Sequence, residues 1–176
     1  KGVRWVREHV AEHRGDPERL VIMGHSAGAH LAALLCTDDR YLKAAGVPMN
    51  CLKGCVPIDV SAYDIPKRLK DGGDTPAVSY TSVFGESEAQ QREFSPVTYV
   101  AKDKGIPPFL LLHVASRDST KTQAHWLASK LHEIGVAARV VAAEGKTHGT
   151  ISTDLGGKDD PPTLELWKFL DEVTPR

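Results

Sequence analysis

The stretch that most limits how this chain can fold is LVIMGHSAGAHLAALL, residues 20–35. Its first part lies in RLVIMG (19–24), which is short, apolar on both faces and closed by glycine, as is typical of a central strand in a parallel sheet. Its second part is rich in Ala and Leu and predicts a helix from Ala27 to Thr37. A strand that passes directly into a helix places Ser26 at the turn between them.

The rest of the chain repeats this alternation of strands and helices. Strand patterns occur at 51–59, 107–115 and 136–144, and helical patterns occur before Gly15, at 119–135 and at 161–173. This order predicts an α/β fold with a mostly parallel sheet flanked by helices. We expect a single domain over residues 1–176. The irregular segment 61–105, with at most one helical turn and one further short turn near its end, is expected to form a cap or insert over the site.

Composition excludes several classes of function. The hydrophobic fraction of 41% and charged fraction of 26% indicate a globular protein. A formal net charge of -1 at pH 7 provides no electrostatic reason to expect nucleic acid or an anionic membrane as partner. No apolar run approaches the roughly 18 residues of a membrane span. Cys36, Cys51 and Cys55 have neither a disulfide-framework spacing nor a second Cys/His pair at ligand spacing, so we expect no metal site and no cofactor.

The turn at residues 24–28, Gly-His-Ser-Ala-Gly, matches the G-x-S-x-G nucleophile elbow in the required strand-turn-helix setting. A serine in so sharp a turn needs neighbours without side chains, which Gly24 and Gly28 provide. The helix N-terminus directs free N–H groups and a positive dipole end at a developing oxyanion, so Ala27 is the expected backbone donor. His25 is expected to point away from the serine's direction of attack. The alternative interpretation is a helix cap flanked by glycines.

A serine hydroxyl needs a base, and eight histidines are available. His148, in EGKTHGT, lies in the loop between the last strand and the last helix. In a parallel sheet that loop leaves the same edge as the elbow, where ligands bind. His148 is therefore the predicted base, and a solvated loop histidine is the alternative.

The carboxylate that orients the base should leave the same edge of the sheet. Asp118, in HVASRDS, follows the strand at 107–115 and is the predicted acid. Its alternative role is a helix cap, because a helix begins beside it. Asp59 and Glu144, which end two other strands, are lesser candidates. The resulting order of Ser26, Asp118 and His148 is that of α/β hydrolases.

Taken together, these motifs resemble the C-terminal two-thirds of a carboxylesterase of the α/β-hydrolase fold, similar to hormone-sensitive-lipase-like and feruloyl-esterase-like bacterial hydrolases. The resemblance lies in DPERLVIMGHSAGAHLAALL, FSPVTYVAKDKGIPPFLLLHVASRDS and THGTISTDLGGKDDP followed by LWKFL, in that order. It implies nucleophile Ser26, acid Asp118, base His148 and the Ala27 N–H as an oxyanion donor.

The sequence departs from this family at its start. Such enzymes carry an H-G-G-type oxyanion loop upstream of the elbow, and this sequence contains none. It also provides only about half of the usual strands. We therefore expect an N-terminal segment of the same protein, outside this sequence, to complete the sheet and the oxyanion hole.

The predicted function is a serine esterase that cleaves small-molecule carboxylic esters through an acyl-enzyme and needs no cofactor. An arylformamidase, or another amide or peptide hydrolase, would use the same triad, and the sequence does not separate these activities. A non-catalytic binding protein of the same fold is the alternative outside the enzymes. The compartment, cytoplasmic or secreted, stays open.

Overall fold

The computed structural model describes residues 1–73 and 75–175. Its centre is a sheet of four strands in the order β1-β2-β3-β4, and all three neighbouring pairs are parallel. Each strand coincides with a predicted one to within two residues, and the predicted α/β class is confirmed. The strands are β1 Leu20–His25, β2 Leu52–Ile58, β3 Phe109–Val114 and β4 Ala138–Ala143.

Helices connect the strands and cover both faces of the sheet. The predicted helices at 27–37 and 161–173 are present with the same bounds. Within the described residues, no helix is both long enough and apolar enough to cross a lipid bilayer. The α-helices are α1 Gly2–His9, α2 Ala27–Thr37, α3 Arg40–Ala44, α4 Ile65–Asp71, α5 Ala77–Phe84, α6 Glu88–Glu93, α7 Asp118–Glu133, α8 Thr150–Thr153 and α9 Pro161–Val173; short 3₁₀ turns occupy Val10–His13, Met49–Cys51 and Pro96–Tyr99.

The prediction of at most one helical turn early in segment 61–105 was wrong, whereas the short turn expected near its end is present as the 3₁₀ turn Pro96–Tyr99. The segment contains α4, α5, α6 and a 3₁₀ turn. These helices have six to eight residues, and α4 and α6 begin at side-chain caps, whereas the described residues show no side-chain cap for α5. The Asp64 carboxylate accepts from the backbone N–H of Lys67 at 3.0 Å, and Ser87 and Gln90 form a capping box at the start of α6. Such short helices lack the repeated apolar spacing that predicts a helix from sequence.

The core lies on both faces of the sheet because side chains alternate along each strand. In β3, which is buried throughout, Phe109 and Leu111 pack in the cluster that includes residues of α2 and α7. Leu110 and Leu112 point the other way, into the cluster that includes Phe169 of α9. A strand buried on both faces reads as a continuous apolar run, as the sequence FLLLHV does.

The register of the sheet brings the residues after the strands to one level. The backbone N–H of Ser26 donates to the carbonyl of Ile58 at 2.9 Å, and that of Asp59 donates to the carbonyl of Leu112 at 2.8 Å. The corresponding hydrogen bond between β3 and β4 runs from the backbone N–H of Ala115 to the carbonyl of Ala143 at 3.2 Å. The loops that leave the carboxyl ends of all four strands therefore start side by side.

Candidate active site

Ser26 lies in a strained turn between β1 and α2. Its φ of 57° and ψ of -122° are rare for a residue with a side chain. Gly24 makes this turn possible, because a Cβ atom there would lie 2.3 Å from the Gly28 carbonyl oxygen. A Cβ atom at Gly28 would meet nothing within 4 Å. The two glycines of the motif are therefore not equivalent, and only Gly24 provides clearance that the described residues require.

This difference predicts unequal effects of two matched substitutions. Gly24→Ala should lower the free energy of unfolding by about 3 kcal/mol, because the new methyl group collides with backbone atoms that cannot move aside. Gly28→Ala should leave stability unchanged or raise it by up to about 1 kcal/mol, since alanine favours a helix over glycine. Chemical denaturation followed by circular dichroism measures both, and equal losses would contradict the structure.

His148 follows β4, and Ser26 follows β1, at the two ends of the strand order. Its Nε2 atom lies 3.0 Å from Ser26 Oγ, within hydrogen-bonding distance. The loop that carries it is held by Lys146, whose ammonium pairs with Asp160 at 2.6 Å and Asp154 at 2.8 Å. The structure therefore brings Ser26 and His148 together, in an arrangement that suits proton transfer from the hydroxyl to the imidazole.

Asp160 supports this loop in two ways. Besides pairing with Lys146, its carboxylate accepts from the backbone N–H of Thr163 at 3.0 Å and so caps α9. Burial raises the pKa of Asp160, but the bonds from Lys146 and Thr163 outweigh it and hold the pKa below the usual value. The charged carboxylate is thus favoured in the folded state.

Asp160→Asn should therefore destabilise the protein in a pH-dependent manner. At pH 7 we expect a loss of up to about 1 kcal/mol, because Asn keeps an acceptor for the helix cap but loses the charge that pairs with Lys146 and interacts with the N-terminus of α9. An aspartate with a lowered pKa stabilises the fold above its unfolded value of about 3.9 and stops doing so as the pH falls through the folded value. The difference between wild type and variant, measured by denaturant unfolding, should shrink below about pH 4. A constant difference across this range would contradict the argument.

The carboxylate that meets the other imidazole nitrogen is Asp59. Its Oδ2 atom lies 2.7 Å from His148 Nδ1, and its Oδ1 atom accepts from the backbone N–H of Val114 at 3.0 Å. Asp59 is 1% exposed and has a φ of 50°, so a second strained residue follows directly on a strand. Burial raises the pKa of Asp59, but the hydrogen bonds from His148, Val114, Thr120 and Arg117 together lower it by more than burial raises it. The resulting pKa lies below the usual value of an aspartate. The carboxylate is held ionised beside the imidazole.

The structure does not place Asp118 where the sequence analysis expected it. Asp118 is the exposed first residue of α7, and across residues 1–73 and 75–175 it forms no hydrogen bond with His148. It lines a separate small cavity of about 160 Å³ together with Arg68 and Gln123. The physical reason is distance along the chain: Asp118 comes four residues after β3 ends, whereas Asp59 is the first residue after β2.

Two further side chains contact His148: Arg117, which the sequence analysis did not single out, and His25 of the predicted elbow. Arg117 Nη1 lies 2.9 Å from His148 Nδ1 and 2.5 Å from Asp59 Oδ2. The ring of His25 packs against that of His148, with centroids 4.5 Å apart. The sequence analysis expected this side chain to point away from the serine's direction of attack and did not predict its contact with His148. Among the described residues, the buried Nε2 atom of His25 has no hydrogen-bond partner.

An apolar cavity of about 620 Å³ lies beside the elbow. Ala27, the first residue of α2, lines one part of it, and Val83 and Phe84 of α5 line another. His30 also faces the cavity and is bonded at Nε2 to the Phe94 carbonyl, 2.7 Å away. Burial lowers the pKa of His30 more than this bond raises it, so the imidazole is held neutral and keeps the cavity uncharged.

With this geometry established, the chain can be compared with known proteins. Residues 1–152 match the family described as alpha/beta hydrolase fold. An isoprenylcysteine alpha-carbonyl methylesterase from Arabidopsis thaliana is 31% identical over 184 residues, which cover 91% of this chain and 41% of that protein. The esterase LipQ of Mycobacterium tuberculosis is 56% identical over 119 residues, covering 64% of this chain and 28% of LipQ.

Solved structures agree on the fold. A thermophilic esterase from Thermogutta terrifontis, solved with butyrate bound, has a TM-score of 0.66 at 26% identity and covers 99% of this chain and 65% of its own. An acetyl ester-xyloside bifunctional hydrolase from Caldicellulosiruptor lactoaceticus has a TM-score of 0.72 at 20% identity, covering 98% and 63%. The chain thus spans less than half the length of these two curated relatives and about two thirds of these solved chains.

Proposed function

Because the chain belongs to the alpha/beta hydrolase fold family, we propose that it hydrolyses carboxylic esters with Ser26 as nucleophile. The observation that carries this proposal is the 3.0 Å contact between Ser26 Oγ and His148 Nε2, made by a serine with positive φ at a strand-to-helix turn. Relatives named as esterases support the same reaction class.

The proposed reaction has two halves. His148 Nε2 takes the proton of Ser26 as Oγ bonds to the ester carbonyl carbon, and the carbonyl oxygen becomes an oxyanion near the N–H of Ala27. The intermediate collapses, the bond to the alcohol breaks, and His148 returns the proton to the leaving oxygen. Water, activated by the same histidine, then attacks the acyl-enzyme and releases the carboxylic acid.

We assign the orienting acid to Asp59 in place of Asp118. The 2.7 Å contact at Nδ1 supports this assignment, and a buried ionised carboxylate there stabilises the imidazolium that forms when Ser26 loses its proton. The chain order Ser26, Asp59, His148 still has the acid between nucleophile and base. For Asp118, the exposed first turn of a helix suits an acidic residue that interacts with the helix dipole.

Two aspartate substitutions, made in the full-length protein, test both the function and the assignment. Asp59→Asn should lower kcat for a short aryl ester by about 10⁴, because the amide no longer selects the productive imidazole tautomer. Asp118→Asn should change kcat within about twofold, as expected at an exposed surface position. Ser26→Ala gives the background rate of ester cleavage without the nucleophile.

The outcomes separate the hypotheses. Loss of activity in Asp118→Asn, with Asp59→Asn active, would restore the original assignment. Full activity in Ser26→Ala would refute the serine mechanism altogether. Faster cleavage of a matched anilide or formamide than of the ester would favour the amide-hydrolase alternative.

We propose further that the apolar cavity receives the apolar group of the ester and that segment 61–105 forms its outer wall. Support comes from its position at Ala27, its apolar lining and the absence of charge at His30. The curated relative from Arabidopsis thaliana is named for an isoprenylcysteine ester, and an isoprenyl group would suit such a cavity.

A pair of valines on α5 provides a matched test of this assignment. Val83 lines the cavity and Val78 does not, and both are well exposed, at 68% and 70%. Val83→Trp should lower the ratio of kcat/KM for an octanoate ester to that for the acetate ester by about tenfold, because the indole fills space that the longer chain needs. Val78→Trp should leave this ratio unchanged. Equal ratios in both variants would show that the substrate binds elsewhere.

We also propose that β1 pairs with further strands in the complete protein. In the described residues β1 is bonded only to β2, and its Met23 side chain is 52% exposed. An open edge strand of this composition is a site for strand pairing. The share of the related chains that this sequence spans agrees with such an addition.

A further inference from the structure

His25 connects the elbow to the loop that carries His148. It is the last residue of β1 and directly precedes Ser26, so one short stretch of backbone carries both side chains. Its ring packs against the imidazole of His148, with centroids 4.5 Å apart and ring planes inclined by 39°. The loop with His148 follows β4, at the other end of the strand order. A contact between the two rings therefore bridges elements that the sheet itself keeps apart.

The hydrogen bonds of His148 leave one motion of its ring unrestrained. Nε2 lies 3.0 Å from Ser26 Oγ, and Nδ1 lies 2.7 Å from Asp59 Oδ2. Arg117 approaches the same Nδ1 atom, at 2.9 Å. Contacts at the two nitrogens act at the edge of the ring, so they do not prevent rotation about the line that joins these atoms. The His148 side chain is 44% exposed, and a contact on the face of its ring opposes that rotation.

The surroundings of the His25 ring suit such a packing role. Its Nε2 atom is buried and has no hydrogen-bond partner among the described residues. A buried polar atom without a partner costs free energy, which an apolar ring of similar shape would not. Two aromatic rings at this separation attract each other through their faces and edges without a hydrogen bond. The contact with His148 therefore depends on the ring of His25 and not on its Nε2 atom.

We propose that His25 is a positioning residue whose ring holds the imidazole of His148 at the angle from which Nε2 accepts the proton of Ser26. The proposal rests on the esterase mechanism above for its catalytic meaning. The described lining of the apolar cavity does not include His25, so the expected defect lies in turnover and not in substrate binding. Because His148 serves both halves of the reaction, slowing both equally leaves KM unchanged.

The test uses the full-length protein with three substitutions. His25→Ala removes the ring, whereas His25→Phe keeps a ring of similar shape and removes both nitrogens. His9→Ala is the matched control, because the His9 ring stacks on Trp5 of α1 with centroids 4.6 Å apart. For each protein, kcat and KM for a short aryl ester are measured, and circular dichroism on heating reports whether the variant is folded.

His25→Ala should lower kcat by about 10²-fold with KM within about twofold, because a misplacement of about 1 Å between reacting groups has an effect of this size. His25→Phe should restore kcat to within about threefold of wild type and raise Tm, since it keeps the ring contact and removes the unpartnered nitrogen. His9→Ala should change kcat by less than about twofold. Equal losses of kcat in His25→Ala and His25→Phe would overturn the proposal, because a ring nitrogen would then be responsible. A raised KM at unchanged kcat in His25→Ala would overturn it as well.

NMR relaxation of the His148 ring carbons, assigned by comparison with His148→Asn, separates this proposal from the proposed function. The order parameter of the ring should fall in His25→Ala and be retained in His25→Phe, whether or not any ester is cleaved. If the wild type cleaves no ester but shows this difference, the esterase is refuted and the positioning role is retained. An unchanged order parameter in folded His25→Ala refutes the positioning role.

Discussion

A buried carboxylate at the end of a central strand is the constraint on which the rest of the site depends. Asp59 is 1% exposed, so its charge must be matched by donors from the surrounding structure. Those donors come from Val114 at the end of β3, Arg117 and Thr120 beyond it, and His148 after β4. Satisfying one charge therefore ties together three consecutive strand ends. The same bonds fix the orientation of the imidazole.

The strained residues show how this constraint reaches the serine. Ser26 and Asp59 both have positive φ, and both follow directly on neighbouring parallel strands that are bonded in register up to that point. The backbone hydrogen bonds from Ser26 to Ile58 and from Asp59 to Leu112 hold these two residues at positive φ, which an isolated turn would not do. Local strain at the two positions is thus maintained by the long-range pairing of the sheet.

Much of this fold follows from apolar patterning. The four strands are apolar runs bounded by Gly, Pro or charged residues, and His148 could be selected because its loop leaves the carboxyl edge of a strand. Asp59 and Asp118 could not be ranked in this way, since both follow strands. Which one faces the imidazole depends on the φ of 50° at Asp59 and on the three residues that separate β3 from Asp118. The short helices of segment 61–105 were not predicted because six to eight residues are too few to show a repeated apolar spacing, and only α4 and α6 have side-chain caps, at Asp64 and Ser87.

The attachment of the His148 loop to β4, an outer strand of the described sheet, has a consequence for heat inactivation. This loop follows β4, which is an edge strand, while Ser26 follows β1 at the other edge of the described sheet. The loop is fastened by partly exposed ion pairs of Lys146 and by the buried Ile151 of α8, which follows it. Sub-global opening of β4 and its loop costs less free energy than complete unfolding. On warming, we therefore expect the contact between His148 and Ser26 to be lost before the central strands unfold.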